Sequence, residues 1–282
     1  MSSYIYQHGN EPVRQSHQAK IMHEQSLHLL WEAGLRPGMS VLDFGCGTAN
    51  LDFSIASLLG PGGKVLGVDC NPGLINLNRK RKQGLEDGNL FFRIGRAENY
   101  TDIFQYDITF ARFLVAHTAT PLKLVQNMQG LTRNYGYIAL EDVDISTMRA
   151  VPHNPELEVL KILIKALVHY YGGDATIGSQ LGPLLNASGL RRVRAFSHQP
   201  AGATGPIKQV PVFVLESIQP TLLQLGLATP EQLLRLSDGL KKLAEDNHTV
   251  FYFPRIYQVI GYNNHTLKLN LPKQSIAWQP GM

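Results

Sequence analysis

This chain is poor in the features that mark several protein classes. It has two cysteines in 282 residues, and it lacks both C-x-x-C and H-x-x-x-H spacings. A disulfide scaffold and a cysteine- or histidine-based metal site are therefore excluded as organising devices, and no metal is expected. No apolar run reaches the roughly 18 residues of a spanning helix, so no membrane partner is expected. Met1–Asn10 has neither the basic nor the apolar part of a secretory leader, which makes the cytoplasm the expected location. Charge is sparse at 17% of residues and nets only +4. Its densest run, Arg79-Lys80-Arg81-Lys82, has no interleaved aromatics and reads as a solvated helix face, so nucleic acid is not an expected partner. Internal repeats and low-complexity tracts are also missing. What remains is an ordinary globular composition, 44% hydrophobic, long enough for one large core with additions.

The information lies in Val41–Asp69. Val41-Leu42 leads into Asp43-Phe44-Gly45-Cys46-Gly47-Thr48-Ala49, and Val65–Asp69 follows as a second apolar run ending in a carboxylate. Leu51, Ile55, Leu58 and Leu59 between them keep a 3.6-residue period. Strand, glycine turn, helix, strand and acid form the nucleotide-binding half of a doubly wound α/β sheet. Gly45 and Gly47 allow close backbone approach to a ligand, and Asp69 is placed to accept from a ribose diol. A dinucleotide fingerprint needs a third glycine where Asn50 stands, and Asp43 suits an ammonium better than a pyrophosphate. Cys46 and Cys70 each follow a strand end beside this site and read as reduced thiols.

These residues resemble the first motif of class I S-adenosylmethionine (SAM)-dependent methyltransferases, (V/I)-L-D-x-G-C-G-(T/S)-G, with Ala49 in place of the last glycine. The resemblance implies a Rossmann-like α/β fold, a seven-stranded mixed sheet, and SAM as cofactor. It also implies a cofactor site made by Tyr6, Asp43, Gly45, Cys46, Gly47, Asp69, Cys70, Asn71, Ala97, Glu98 and Arg112. Leu90–Ile94 reads as the third strand. In Gly95-Arg96-Ala97-Glu98 after it, Arg96 replaces the acid that relatives aim at adenine, so Glu98 or the backbone of Ala97 must serve. Tyr106–Phe113 reads as the fourth strand. Ala111, Arg112, His117 and Pro121 match the (S/A)-R-x-x-L-x-H-x-x-x-P run of similar small-molecule enzymes.

A helix over Leu122–Thr132 and a turn at Asn134-Tyr135-Gly136 precede a fifth strand, Tyr137–Val143. Asp174–Ser188 reads as a helix stopped by Gly189, and Arg192–His198 and Val250–Gly261 as the terminal strands of the sheet. The expected organisation is an N-terminal helical arm over residues 1–34 and a SAM-binding core over 35–200 with an inserted helix at 155–171. A helical cap over 201–247, a last core strand over 248–262 and a tail over 263–282 complete it. The arm includes the run Tyr4, Tyr6, His8 and His17. Within the cap, Thr229-Pro230-Glu231-Gln232 is a capping-box start, and Leu233, Leu236, Leu240 and Leu243 make a buried stripe. Such insertions form a lid over the strand ends or a dimer interface, so monomer and homodimer both stand.

Methyl transfer needs a nucleophile held about 3–3.5 Å from the methyl in a dry site, and a base only when the acceptor is weakly acidic. His117 and Asp142 are the catalytic candidates, with Phe113, His117 and Asp144 facing the substrate. A capping role for His117 and solvated loop positions for the two acids are the competing readings. The reading is a methyltransferase acting on a small molecule, resembling the ubiquinone/menaquinone and secondary-metabolite enzymes. Alternatives are a thiol S-methyltransferase of epidithiodioxopiperazine-type toxins, a non-methylating SAM-binding pericyclase or decarboxylase, and a macromolecule methyltransferase. The last lacks its (D/N)-P-P-(Y/F) run, since Ala111-Arg112-Phe113-Leu114 stands there.

Overall fold

The computed structural model describes residues 11–83 and 88–264, with side chains from Ile21 onward. The helix α1 (Glu11–Glu32) leads into β1 (Ser40–Phe44), α2 (Asn50–Leu59), β2 (Lys64–Asp69), α3 (Pro72–Lys82), β3 (Leu90–Ile94) and β4 (Tyr106–Arg112). α4 (Pro121–Leu131) and the long β5 (Thr132–Asp144) follow. These strands pair in parallel in the order β3-β2-β1-β4-β5, and β10 (Arg255–Tyr262) and β7 (Arg191–His198) extend them antiparallel beyond β5. The seven-stranded mixed sheet and the Rossmann-like fold are as expected.

Alternation along the strands sends Val41 to one face and Leu42 to the other. Leu29 and Leu30 of α1, with Leu51 and Ile55 of α2, pack against Val41 and Val65 on one face. Leu124 and Met128 of α4, with Leu181 and Leu185 of α6 (Leu181–Ala187), cover Leu42 and Leu66 on the other. Each sheet edge is guarded. Arg79 and Lys82 of α3 donate to the Phe92 and Leu90 carbonyls of β3, and β7 exposes Arg191 and Arg194.

Several boundaries differ from the sequence reading. Val250–Gly261 is two strands: β9 (Val250–Tyr252) leaves the main sheet and pairs with β6 (Arg149–Val151) and β8 (Ala201–Gly202), and β10 begins after Pro254. Asn134-Tyr135-Gly136 is a bulge inside β5, where the pairing with β4 jumps from Thr132 to Tyr137. Asp174–Ser188 opens with a 3₁₀ turn, Ile177–Gln180, before α6. The cap over 201–247 holds two helices, α7 (Val210–Gln224), with Pro220 inside it, and α8 (Pro230–Glu245), which starts at the capping box.

The cap is thus a mixed structure, α5 (Pro155–Tyr170), α7 and α8 with the small sheet, around its own apolar core. Met22 of α1 inserts into that core, so the N-terminal helix joins cap to sheet. Below it, Ser26 donates to Glu141 at 3.0 Å, Arg112 donates to Ser26, and Gln258 donates to Glu141. This buried polar network fixes α1 across β4, β5 and β10. Buried Lys208 donates to the carbonyls of Asp246 and Thr249, tying the start of α7 to the end of α8. No helix among the described residues is long and apolar enough to cross a membrane.

Candidate active site

One cleft runs along the carboxyl ends of the parallel strands and under the cap. Its first half is built on the β1–α2 turn. Gly45 has φ +74° and Gly47 φ +55°, conformations that L side chains rarely adopt. A Cβ on Gly45 would already touch the side chain of Leu114 at 3.4 Å. Gly47 N–H donates to Asp69 Oδ2 at 3.0 Å, and its carbonyl accepts from Asn78 at 2.7 Å, so both neighbouring elements hold the turn. Asp69 Oδ1 also accepts the N–H of Asn71 at 2.8 Å. The carboxylate therefore reaches the cleft already oriented by backbone donors. Ala49 occupies the left-handed region at φ 56°, where relatives of the motif carry glycine.

Cys46, Cys70, Ala97, Glu98 and Arg112 line this half, and so does Arg96. Neither cysteine is in a disulfide. Burial pushes the Cys46 thiol well up, with Asp52, Asp43 and Asp69 adding to the effect. Two residues expected at the cofactor lie off the cleft wall. Asn71 caps α3, its Oδ1 accepting from Gly73 and Leu74, and it is absent from the cleft wall. Asp43 is buried beneath the turn rather than on the wall. Tyr6 lies outside the described residues.

The second half is an apolar chamber. Leu160, Ile164 and Val168 line it from one face of α5, Val210 and Val214 from α7, and Phe253 from the β9–β10 link. None of these was singled out in the sequence, because their spacing is that of any buried helix face. At the junction stand Phe113, His117 and Asp142. Phe113 turns the chain out of β4 at φ +53°, and His117 ends a 3₁₀ turn, Val115–His117.

Three contacts grip that turn at Ala116. Asp142 Oδ2 accepts its N–H at 2.9 Å, its carbonyl accepts from Asp174 N–H at 3.0 Å, and Gly173 packs on the same oxygen. Asp142 Oδ1 accepts from Val143 N–H. Burial pushes the Asp142 carboxyl up to about 7, opposed by these backbone donors. Its carboxylate is thus committed to backbone and braces the turn that carries His117. Asp144, expected to face the substrate, instead accepts from Ser146 N–H and Oγ and is not on the cleft wall. The loop after β5 instead contributes Ile145 and Met148.

Glycine turn, the acid ending β2 and the second chamber under the cap together define the class I SAM-dependent methyltransferase architecture, and the donor set fits that cofactor. Residues 35–177 match the family model described as "Methyltransferase domain", and the chain belongs to that family. Its cofactor is S-adenosylmethionine. Among curated proteins it is 39% identical over 61 residues to the ubiquinone/menaquinone biosynthesis C-methyltransferase UbiE of Ectopseudomonas mendocina, a match over 20% of this chain and 24% of that protein. The curated relatives are matched over only 18–30% of their length. Among solved structures, the YcgJ protein of Bacillus subtilis superposes with TM-score 0.56 at 15% identity, over 86% of this chain and 98% of that one. Phosphoethanolamine N-methyltransferase 2 of Haemonchus contortus, solved with S-adenosylhomocysteine, gives 0.54 at 18% identity, over 86% and 52%.

Proposed function

We propose that this protein transfers a methyl group to a small, largely apolar acceptor held in the chamber beneath the cap. The carrying observation is that the glycine-turn cleft opens directly into a space walled by Leu160, Ile164, Val168, Val214 and Phe253, with polar side chains concentrated at the junction. Bound there, SAM supplies a carbon already activated by its sulfonium. What the chain adds is alignment, exclusion of water and handling of one proton. The turn Gly45–Thr48 and Asp69 hold the cofactor. α5, α7 and the β9–β10 link cover the acceptor, and His117 faces the acceptor's acidic atom as base or orienting group. A helical cover over the strand ends favours a small molecule over a polymer, and the absence of charged side chains among the described lining residues of α5, α7 and the β9–β10 link disfavours amine or phosphate acceptors. The match to a quinone-modifying enzyme supports the same direction.

The test is transfer of methyl-labelled SAM to a panel of phenolic, quinol, thiol and enol acceptors beside ethanolamine-like amines. Label in the apolar group alone is expected; transfer only to the amines would overturn the reading. His117→Ala should lower turnover by about a hundredfold on a weakly acidic acceptor, with SAM affinity nearly intact. On a largely ionised thiol the loss should shrink. Full activity of the variant on every acceptor across pH 6–9 would remove His117 from the chemistry.

A further inference from the structure

Beneath the glycine turn lies a set of polar atoms that the described residues leave unsatisfied. Asp52, on the sheet-facing side of α2, is 0% exposed, and no donor reaches either of its oxygens. Asp43, from β1, is 4% exposed with Oδ1 equally unmet. Asn78 Oδ1 from α3 is unmet as well. The two carboxyls are close neighbours, and a hydrogen bond between them can form only when one of them carries a proton.

The surroundings explain why that proton stays. Burial pushes both acids up, and each is a like-charged neighbour of Asp69 on β2. Arg112 of β4 opposes this with positive charge, and His23 of α1 sits near Arg112 with its own basicity lowered by burial. The Cys46 thiol lies on the turn above, and Arg81 of α3 is spent on the Thr48 carbonyl and Asn50. With both acids ionised, three carboxylates would face one guanidinium in a site closed to water. A further positive charge is what would make that state favourable.

We propose that Asp52 is a positioning residue for the cationic end of the cofactor: it shares one proton with Asp43, and the pair releases that proton to solvent when SAM seats on the glycine turn. The one bond that breaks is the O–H of the protonated carboxyl; its proton passes to the buffer, the electron pair stays on oxygen, and two carboxylates remain beneath the turn, acting on the ligand's charge through it. SAM carries one more positive charge than its demethylated product, so release is larger with SAM. The pair therefore favours substrate cofactor over product, increasingly so as pH rises. This rests on the SAM site described above.

Calorimetry of the full-length protein with SAM and with S-adenosylhomocysteine tests it, in two buffers of different ionisation enthalpy at pH 6, 7 and 8. Wild type should release a proton fraction near pH 7, more with SAM, and SAM affinity should rise by up to roughly tenfold per pH unit. In Asp52→Asn, with an unchanged circular-dichroism spectrum, the release should vanish and the pH profile flatten while binding persists. Asp43→Asn serves as the second variant if that one fails to fold. Equal release in wild type and Asp52→Asn would assign the proton to His23 or Cys46 and overturn the proposal, as would no release in wild type. Failure to bind SAM at all would instead sink the cofactor site itself.

Discussion

Asp142 accepts the amide proton of Ala116 at 2.9 Å, and that single bond couples the end of β5 to the turn presenting His117. An ionised carboxylate accepts such a bond best, and burial holds Asp142 at about 7. Turnover should therefore rise as pH climbs through 7. Asp142→Asn should lower kcat by about tenfold or more, shift the dissociation constant of SAM less than about threefold, and lose that limb of the pH profile. An unchanged profile in the variant would detach Asp142 from the turn's function.

The same turn can be displaced from its other side. A Cβ on Gly173 would stand 2.1 Å from the Ala116 carbonyl oxygen. Gly173→Ala must move backbone against backbone, costing about 1–3 kcal/mol. A thermal melt should show the loss, and kcat should fall while SAM binding in calorimetry holds. A neutral melt and full activity would mean that the Gly173 segment shifts freely.

Asp69 holds the glycine turn as well as facing the cleft, so its removal should register twice. Asp69→Ala deprives Gly47 and Asn71 of their shared acceptor and should cost about 1–3 kcal/mol of stability. Loss of the charge-assisted bonds to a ribose diol should also weaken SAM binding by at least about tenfold. An unchanged dissociation constant, or tighter binding of NAD than of SAM by wild type, would contradict this assignment.

The Asp43–Asp52 pair has a signature in stability that needs no ligand. Both acids hold their protons more tightly folded than unfolded, Asp52 up to about 7. The native state then binds more protons than the unfolded chain, and stability falls as pH rises from the ordinary aspartate value through 7. Below that range the pair has no effect. Asp52→Asn should melt near wild type at pH 4 but about 3 °C or more above it at pH 8. A gap that does not widen with pH would show that the pair does not titrate.

The strands and the cofactor turn were legible because their signals are local. Val41–Ala49 and Val65–Asp69 carry apolar runs, glycines and a terminal acid within a few residues. Asp52 was legible in principle: it shares the buried stripe of α2 with Ile55, Ala56 and Leu59, where a lone acid needs a reason. Asp144 was misplaced because a loop acid's target is its nearest backbone, here Ser146, and sequence does not say which way the loop turns. The division of Val250–Gly261 into two sheets at Pro254 also escaped the reading, since both halves have the same β-rich composition. The acceptor chamber is the least legible part, being assembled from ordinary apolar faces of α5 and α7 that only tertiary packing brings together.

The last strand of the sheet enters between two that precede it in the chain, since β10 lies between β5 and β7. Ribosomal synthesis must therefore reach about residue 262 before β7 has any partner in the main sheet. Gln258 on that strand also completes the bond network at Glu141 that holds Ser26 and α1. Helix α1, which precedes the sheet in the chain, is thus locked by the strand of the main sheet that is made after the others. Nascent chains stopped short of β10 should carry a glycine turn without the helix α1 locked over it, and the order of synthesis itself delays assembly of the finished site until β10 has been made.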